Sequence, residues 1–426
     1  MSTFKYVGAT FSDDGSFRPH ETNLIERSSR AMFLCMSRVG RLSKNCPLYI
    51  KALLFKAYVL PVMSYSCEAI PYTKNTIKAL DDICLRYCRW ALGLPRFSNR
   101  INTLRECGMQ HISFTFSAAR AKYYLQLQAR PANHLTTYAL LHIMTSTTRY
   151  GMRAQWLAPI HALLCKWNVC FSNGMPSPAF SEFYARNKKT LSDVIRMCVD
   201  NEWEAAVVGQ ADVGIHADIV AVDTHLSAEQ HDTSVPLVVG HAHNVTHSPS
   251  CIIYPLMVKS SQVCSTRAVA PFGNACLSVR ASQALVLFRL GCAPLFRNTA
   301  FGTNIHSRVC IFCQQYRGLR LIEDEYHVCF DCPLYDQPRY LLFCKLFETN
   351  FSFGESVMQN CQPLHLLASI LSATTPQHVR LISRFLADCL AMRALARCDI
   401  SEGPEIRGLA AGRWTTHLSN VEKSRL

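Results

Sequence analysis

Apolar residues recur with a helical period along much of this chain, most clearly near its beginning. Between residues 20 and 44 they return every three to four positions. This segment contains one glycine, Gly40, and no proline. At about 100° per residue, one predicted helix face carries Leu24, Ala31, Cys35, Val39 and Leu42. An adjacent arc carries four basic residues, Arg27, Arg30, Arg38 and Arg41. The segment is therefore predicted to be an amphipathic helix with a basic stripe.

The segments around this helix predict a small hairpin and a helical bundle. Residues 4–17 alternate and reach Asp14-Gly15, a turn pair, which predicts a strand that enters a hairpin. Further helices are predicted at 47–61, where Pro61 should end the helix, at 75–92 and at 112–130. The last of these carries Arg120 and Lys122, which join the arginine stripe as candidate nucleic-acid contacts.

The rest of the chain continues the helical pattern with one poorly defined segment. Helices are predicted at 156–167, 191–208, 278–297, 340–348 and 377–397, and short strands at 235–240 and 251–258. We divide the chain into a basic helical region (1–130), an uncertain connecting region (131–270), a lead-in helix with a cysteine-rich module (271–345), and C-terminal helices with a tail (346–426). The predicted fold class is mainly α.

Charge is distributed unevenly over the 426 residues, whose net charge is +14. Residues 1–130 hold 19 Lys and Arg against 8 Asp and Glu, whereas the remainder holds 25 against 22. A strongly basic segment indicates a polyanionic partner, most simply nucleic acid. The alternative is a basic surface that serves solubility alone.

Cysteine usage and hydropathy indicate the cellular compartment in which the protein is expected. The 21 cysteines are scattered and lack the compact spacing of a disulfide framework. The N-terminal residues include no apolar core of a signal peptide, and no run of 18 apolar residues occurs. We therefore expect an intracellular protein of the nucleus or cytoplasm, with free thiols and no membrane span.

A cysteine and histidine pattern in residues 310–332 predicts a structural zinc site. Cys310 and Cys313 form a C-x2-C pair, and His327 and Cys332 form an H-x4-C pair 13 residues later. Cys329 offers an alternative, because Cys310, Cys313, Cys329 and Cys332 form a C-x2-C-x15-C-x2-C set with only sulfur ligands. Spacing alone leaves both sets open.

Several stretches together resemble one family. FKYVGATFSDDGSFRPH, ERSSRAMFLCMSRVGRL, LLFKAYVLPVMSYSCEAI and RWALGLPR resemble the thumb region that follows the catalytic palm in reverse transcriptases of non-LTR (LINE-type, jockey-like) retrotransposons. RVCIFC and EYHVCFDCPLYDQPR resemble the CCHC zinc knuckle of the same polyproteins. The resemblance implies a thumb-like bundle that grips nucleic acid, and it favours His327 over Cys329 as the fourth zinc ligand.

The resemblance covers the part of the family that follows the polymerase palm. RNA-directed DNA polymerases need palm carboxylates that hold two Mg²⁺ ions, and these lie upstream of the matching region. Asp13-Asp14 follows an aromatic residue as the palm motif does, but we interpret it as turn chemistry. We therefore expect no catalytic residues here, and Mg²⁺ only if a palm is encoded upstream. The alternatives are a segment of an active polymerase, or a domesticated zinc-containing module that binds protein.

Residues 212–247 contain a cluster of histidines and aspartates that includes His241-x-His243. One interpretation is a metal or hydrolase site. The spacing is loose, however, and no G-x-S-x-G element accompanies it. We favour a polar connecting segment.

Overall fold

The computed structural model describes residues 3–6, 8–42, 46–131, 133–145, 156–169, 178–225, 257, 277–295, 308–349 and 363–401. Helices account for 75% of these residues, and the described strands form a single small hairpin. The predicted fold class, mainly α with an N-terminal hairpin, is confirmed. The chain divides into two compact units, the first containing Met1–Asp212 and the second containing Asn274–Leu426.

The hairpin joins β1 (Thr3–Tyr6) to β2 (Ala9–Ser12) in antiparallel register. Phe4 lies opposite Phe11, and their rings stack with centroids 5.3 Å apart. The strands are connected through Gly8, whose φ of 84° suits a residue without a Cβ atom. The strands are therefore joined at Gly8, whereas the sequence had indicated a hairpin turn at Asp14-Gly15.

Asp14-Gly15 forms a separate turn, which leads from β2 to the first helix. The Gly15 amide donates to the Ser12 carbonyl at 3.0 Å, and the Ser16 amide donates to Asp14 Oδ1 at 2.8 Å. This backbone hydrogen bond from Ser16 lowers the pKa of Asp14. The carboxylate thus serves the turn, in agreement with our interpretation of Asp13-Asp14.

Helix α1 (Arg18–Leu42) confirms the amphipathic helix. Its buried face includes Leu24, Met32, Cys35 and Val39. The face packs against α4 (Lys74–Leu92) and against the segment that follows α1. Thr73 caps the start of α4 by accepting from the Thr76 amide, and Gly93 ends α4 in the left-handed conformation.

The segment after α1 corrects the role of Pro61. It consists of α2 (Leu48–Leu54), a π-helical turn (Phe55–Val59) and α3 (Leu60–Met63), so the helical path continues past Pro61. A proline ring in a regular α-helix clashes with the carbonyl four residues earlier. Just before Pro61, the Leu60 amide instead bonds to the Phe55 carbonyl five residues back. This wider turn accommodates the ring.

The first unit is completed by five further helices. They are α5 (Arg100–Glu106), α6 (Ile112–Gln128), α7 (Leu135–Thr145), α8 (Ala158–Lys166) and, as far as Asp212, α9 (Pro178–His225). Helices α6 to α9 share one hydrophobic cluster, to which they contribute Leu125, Leu140, Leu164 and Val199. The core of the first unit therefore continues across position 130.

The second unit contains the cysteine-rich module and the helices around it. These are α10 (Val279–Arg289), α11 (Ile311–Arg317), a π-helical turn (His327–Asp331), a 3₁₀ turn (Pro333–Tyr335), α12 (Asp336–Thr349), α13 (Pro363–Leu371) and α14 (Pro376–Ser401). Helices α10 and α12 both pack against α14, and Tyr335 is fully buried. The predicted helices at 278–297, 340–348 and 377–397 correspond to α10, α12 and α14.

No helix in the described part of the chain is long and apolar enough to cross a membrane. The strands predicted at 235–240 and, apart from Met257, at 251–258 lie outside the described residues. The same is true of 226–247 in the histidine-rich segment, whereas 212–225 continue α9.

Candidate metal centre

The first half of the centre is a short loop that presents Cys310 and Cys313. An antiparallel bridge between Val309 and Ile322 closes the loop, and the Cys310 amide donates to the Leu321 carbonyl at 2.7 Å. Cys310 is the N-cap of α11, so Cys313 follows it within the first helical turn. Residues three apart on a helix lie on neighbouring positions of one face, and both thiols therefore point to the same point in space.

The second half is the π-helical turn His327–Asp331 with Cys332 directly after it. The Asp324 carboxylate caps this turn by accepting from the His327 amide at 2.8 Å. The Cys332 amide donates to the His327 carbonyl at 2.8 Å, which is the five-residue hydrogen bond of a π-helix. This wide turn brings residues five apart to one side, so His327 and Cys332 face the same point.

Three of the separations among the four ligand atoms match the edges of a zinc tetrahedron. All four atoms lie within 4.8 Å of one another. Cys332 Sγ is 3.9 Å from both Cys310 Sγ and Cys313 Sγ, and Cys313 Sγ is 3.4 Å from His327 Nε2. Zinc bond lengths of about 2.3 Å to sulfur and about 2.0 Å to nitrogen give tetrahedral edges of about 3.8 Å and about 3.5 Å. The arrangement can hold a metal ion without rearrangement.

Cys329, the alternative ligand, is not part of this group among the described residues. It lies two positions after His327 in the π-helical turn, which places it on the opposite side of the turn. Its thiol is buried on that side. The geometry thus brings together Cys310, Cys313, His327 and Cys332.

The centre is buried, and its thiols share hydrogen bonds that favour the thiolate at Cys313 and raise the pKa of Cys332. The exposed fractions of the four residues are 3% or less. Hydrogen bonds from Cys310 and Cys332 lower the pKa of the Cys313 thiol to about 4. A thiolate in a site of this kind attracts a divalent cation, and burial is typical of a structural metal site with four protein ligands.

A buried ion pair connects the cysteine-rich module that contains the candidate metal centre to α14. Glu323, four residues before His327, accepts from Arg393 Nε at 2.7 Å and from Arg393 Nη2 at 2.6 Å. Both side chains are almost fully buried, since Glu323 is 5% exposed and Arg393 is 7% exposed. In the sequence, Arg393 is one of several arginines in the predicted helix at 377–397. Its partner is distant in the chain, so no local pattern indicated the pair.

The four arginines of the predicted basic stripe, which we call the arginine row, lie on α1 as predicted. Arg27, Arg30 and Arg38 are exposed, and Arg41 lies on the last turn of the helix. Arg30 forms an exposed ion pair with Glu26 at 3.1 Å. Phe33 and Leu34 are about half exposed on the same helix, and the sequence analysis had not singled them out.

Arg120 and Lys122, the other candidate contacts, lie on α6. The Arg120 side chain turns inward: its Nε donates to the Cys67 carbonyl and its Nη2 to the Ile70 carbonyl, both at 2.8 Å. These bonds fix the segment that precedes α4. Lys122 is partly buried and has an interaction within the protein. Neither position extends the arginine row.

A serine, histidine and aspartate contact in the first unit resembles a catalytic triad but caps a helix. His111 Nδ1 is 2.8 Å from Ser113 Oγ, and His111 Nε2 is 3.3 Å from the buried Asp81 carboxylate. The Ser113 amide also donates to His111 Nδ1, which makes His111 the N-cap of α6. The same arrangement recurs at residues 134–136, where a histidine and a threonine form it before α7. The repetition indicates local capping chemistry.

Comparison of the chain with the models of known protein families, with curated proteins and with solved structures finds no match. The buried Cys3His group is therefore interpreted from its own geometry, and the described residues show a site that can hold a metal ion.

Proposed function

We propose that this chain is a nucleic-acid-binding segment of a non-LTR retrotransposon reverse transcriptase, stabilised by one structural zinc ion. In this proposal the arginine row on α1 contacts phosphates of a template–primer or target duplex inside the cell, in the nucleus or cytoplasm. Cys310, Cys313, His327 and Cys332 hold the zinc. No residue of the chain is assigned to catalysis.

Zinc is the metal that the donor set favours. Three sulfurs and one imidazole nitrogen in a tetrahedron suit Zn²⁺, whereas Mg²⁺ and Ca²⁺ prefer oxygen ligands. Burial of all four ligands leaves no open coordination position for a substrate. The zinc would therefore stabilise the fold of the module, and its binding free energy would contribute directly to folding.

The observation that carries the nucleic-acid proposal is the rigid placement of the arginine row. Burial of the adjacent apolar face of α1 fixes the helix, so Arg27, Arg30 and Arg38 project from a defined surface. From Arg27 to Arg41 the helix rises roughly 20 Å, since each residue adds about 1.5 Å. Phosphates along one strand of a duplex repeat at intervals of about 3.4 Å per base pair along the axis. The row can therefore follow several phosphates.

The test is the salt dependence of duplex binding by the full chain. Changing Arg27, Arg30, Arg38 and Arg41 to Gln should weaken binding equally for all sequences, because phosphate contacts do not read bases. Each lost contact reduces the slope of log affinity against log salt by about 0.9, so the slope should fall by up to about 3.6. The matched control removes four exposed positive charges elsewhere, at Lys188, Lys189, Lys345 and Arg384.

A protein partner is the second candidate function, and one observation favours it. Phe33 and Leu34 are about half exposed beside the arginines, and exposed apolar side chains of this size are common in protein interfaces. A slope that is unchanged in the arginine variant would place the nucleic-acid surface elsewhere on the chain. Absence of duplex binding by the unmodified chain would contradict the nucleic-acid proposal. Nucleotide incorporation that is lost on Asp13→Asn/Asp14→Asn would contradict the assignment of no catalytic residue.

A further inference from the structure

Arg339 connects the middle of the π-helical turn His327–Asp331 to Cys332, the ligand residue that follows the turn directly. Its Nε donates to the Cys329 carbonyl at 2.8 Å, and its Nη2 donates to the Cys332 carbonyl at 2.7 Å. Its third nitrogen, Nη1, forms an ion pair with Asp336 at 2.8 Å. The Arg339 side chain is 14% exposed, so most of the guanidinium is shielded from water.

These bonds add side-chain donors to carbonyls at the end of the π-helical turn, where the Cys332 carbonyl also accepts from the Tyr335 amide at 3.1 Å. The last carbonyls of any helical segment lack an intrahelical donor, and this turn is only five residues long. Arg339 supplies two donors in a planar fork, which fixes the distance between the Cys329 and Cys332 carbonyls. Because Cys332 is a ligand and His327 begins the same turn, the fork also fixes the direction from which both ligands approach the metal.

Charge gives Arg339 a second effect on the centre. A Zn²⁺ ion with three thiolates and one neutral imidazole carries a net charge of −1. The positively charged guanidinium of Arg339 is bonded to the carbonyl of Cys332, one of these thiolate residues. A nearby opposite charge stabilises a buried anionic group, since the protein interior screens charges weakly.

We infer that Arg339 is a positioning residue of the metal centre, which orients the turn of His327 and Cys332 and offsets the negative charge of the loaded site. The inference rests on the proposed zinc site. Arg339 touches no ligand atom itself and acts through the backbone of the turn. Asp336 in turn holds the guanidinium in place through its own ion pair.

Competition of the full chain with a chromophoric zinc chelator tests this inference. Groups that orient metal ligands typically contribute 10- to 100-fold to metal affinity, so Arg339→Gln should weaken zinc binding by about that factor. Arg339→Lys should also bind zinc more weakly than the wild type, because an ammonium group cannot reach both carbonyls in a fork. Lys345→Gln is the matched control, since it removes an exposed positive charge from the same helix.

The Co²⁺ spectrum separates a positioning role from a general loss of stability. Arg339→Gln should change the d–d bands of the bound cobalt, because the ligand tetrahedron is distorted, while helicity by circular dichroism is retained. Lys345→Gln should leave the bands unchanged. Asp336→Asn keeps the arginine and should cause a smaller loss of affinity than Arg339→Gln, which provides a test if the latter variant fails to fold.

The outcomes distinguish this inference from the zinc proposal. If the wild-type chain binds no zinc, the zinc proposal fails. If the wild type binds zinc and Arg339→Gln binds it equally well, with an unchanged cobalt spectrum, only the role of Arg339 is overturned. Equal losses in Arg339→Gln and Lys345→Gln would also overturn it, since they would reduce the effect to overall charge.

Discussion

Replacing Arg393 by methionine should weaken the contact between α14 and the cysteine-rich module. Glu323 would then lie buried, at 5% exposure, without its two hydrogen bonds of 2.6 and 2.7 Å to Arg393. Two unit charges about 4 Å apart attract each other by about 4 kcal/mol at an effective dielectric constant of 20. Removing one member of a buried pair typically costs about 3–5 kcal/mol, in agreement with this value.

Hydrogen exchange of the α14 amides in the full chain measures this cost locally. A loss of about 3 kcal/mol raises the population of the open state about 150-fold, because each 1.4 kcal/mol is a factor of about ten. We therefore expect peptides from residues 376–397 to exchange at least about 100-fold faster in Arg393→Met. Arg384→Met is the control, because Arg384 is exposed on the same helix and its loss leaves no buried charge.

A double variant identifies the mechanism. Glu323→Leu/Arg393→Met removes both charges, and replacing a buried ion pair by apolar residues is often neutral or stabilising. Exchange in the double variant should therefore be slower than in Arg393→Met alone. Wild-type exchange in Arg393→Met would refute the reasoning, as would a double variant that exchanges faster than the single one.

Two further predictions concern the first unit, and both are measured by urea unfolding followed through tryptophan fluorescence. Burial lowers the pKa of His20 below 6.5, and its Nδ1 accepts from the Thr10 amide, so its protonation favours the unfolded chain. The contribution of neutral His20 to the free energy of unfolding should be fully present above about pH 6.5 and should decrease as the pH falls through the pKa of His20 in the folded protein. The free energy of unfolding should depend less on pH in His20→Gln. Gly8→Ala should destabilise by about 1–2 kcal/mol, because φ is 84° there and a Cβ atom would lie 2.8 Å from the Tyr65 hydroxyl. Gly40→Ala, which has open space in α1, should instead stabilise by about 1 kcal/mol; equal effects at the two glycines would contradict the backbone argument.

Residue spacing predicted where the metal ligands are but could not choose among them. The C-x2-C pair and Cys332 belong to both possible sets, and His327 and Cys329 each have acceptable spacing. The choice depends on the shape of the turn between 327 and 332. An i to i+5 hydrogen bond places His327 beside Cys332 and Cys329 on the other side, and this bond cannot be recognised from residue types.

Helical periodicity placed arginines on faces but could not identify their partners. Arg27 and Arg38 are exposed, as their position beside the apolar face of the helix predicts. Arg120 and Arg393 also lie on helices, yet their partners are 53 and 70 residues away in the chain. Such contacts are set by how helices pack. A local pattern contains no information about a carbonyl or carboxylate that a distant segment brings close.

Proline at position 61 illustrates the same limit for helix boundaries. The rule that proline ends a helix assumes regular α-helical hydrogen bonds before it. Here the bond from the Leu60 amide to the Phe55 carbonyl widens the turn, and the chain continues as α3. Burial of Phe55 and Val59 in the bundle accompanies this turn, and tertiary packing can favour such a local deviation.

The zinc site is the central claim, and the Co²⁺ spectrum of the full chain and two variants tests it most directly. Thiolate-to-cobalt charge transfer grows with the number of sulfur ligands, and strong d–d bands indicate tetrahedral geometry. We predict one tetrahedral Co²⁺ with three sulfurs, altered bands in His327→Ala, and an unchanged spectrum in Cys329→Ala. A spectrum of four sulfurs that loses intensity in Cys329→Ala but not in His327→Ala would contradict the account.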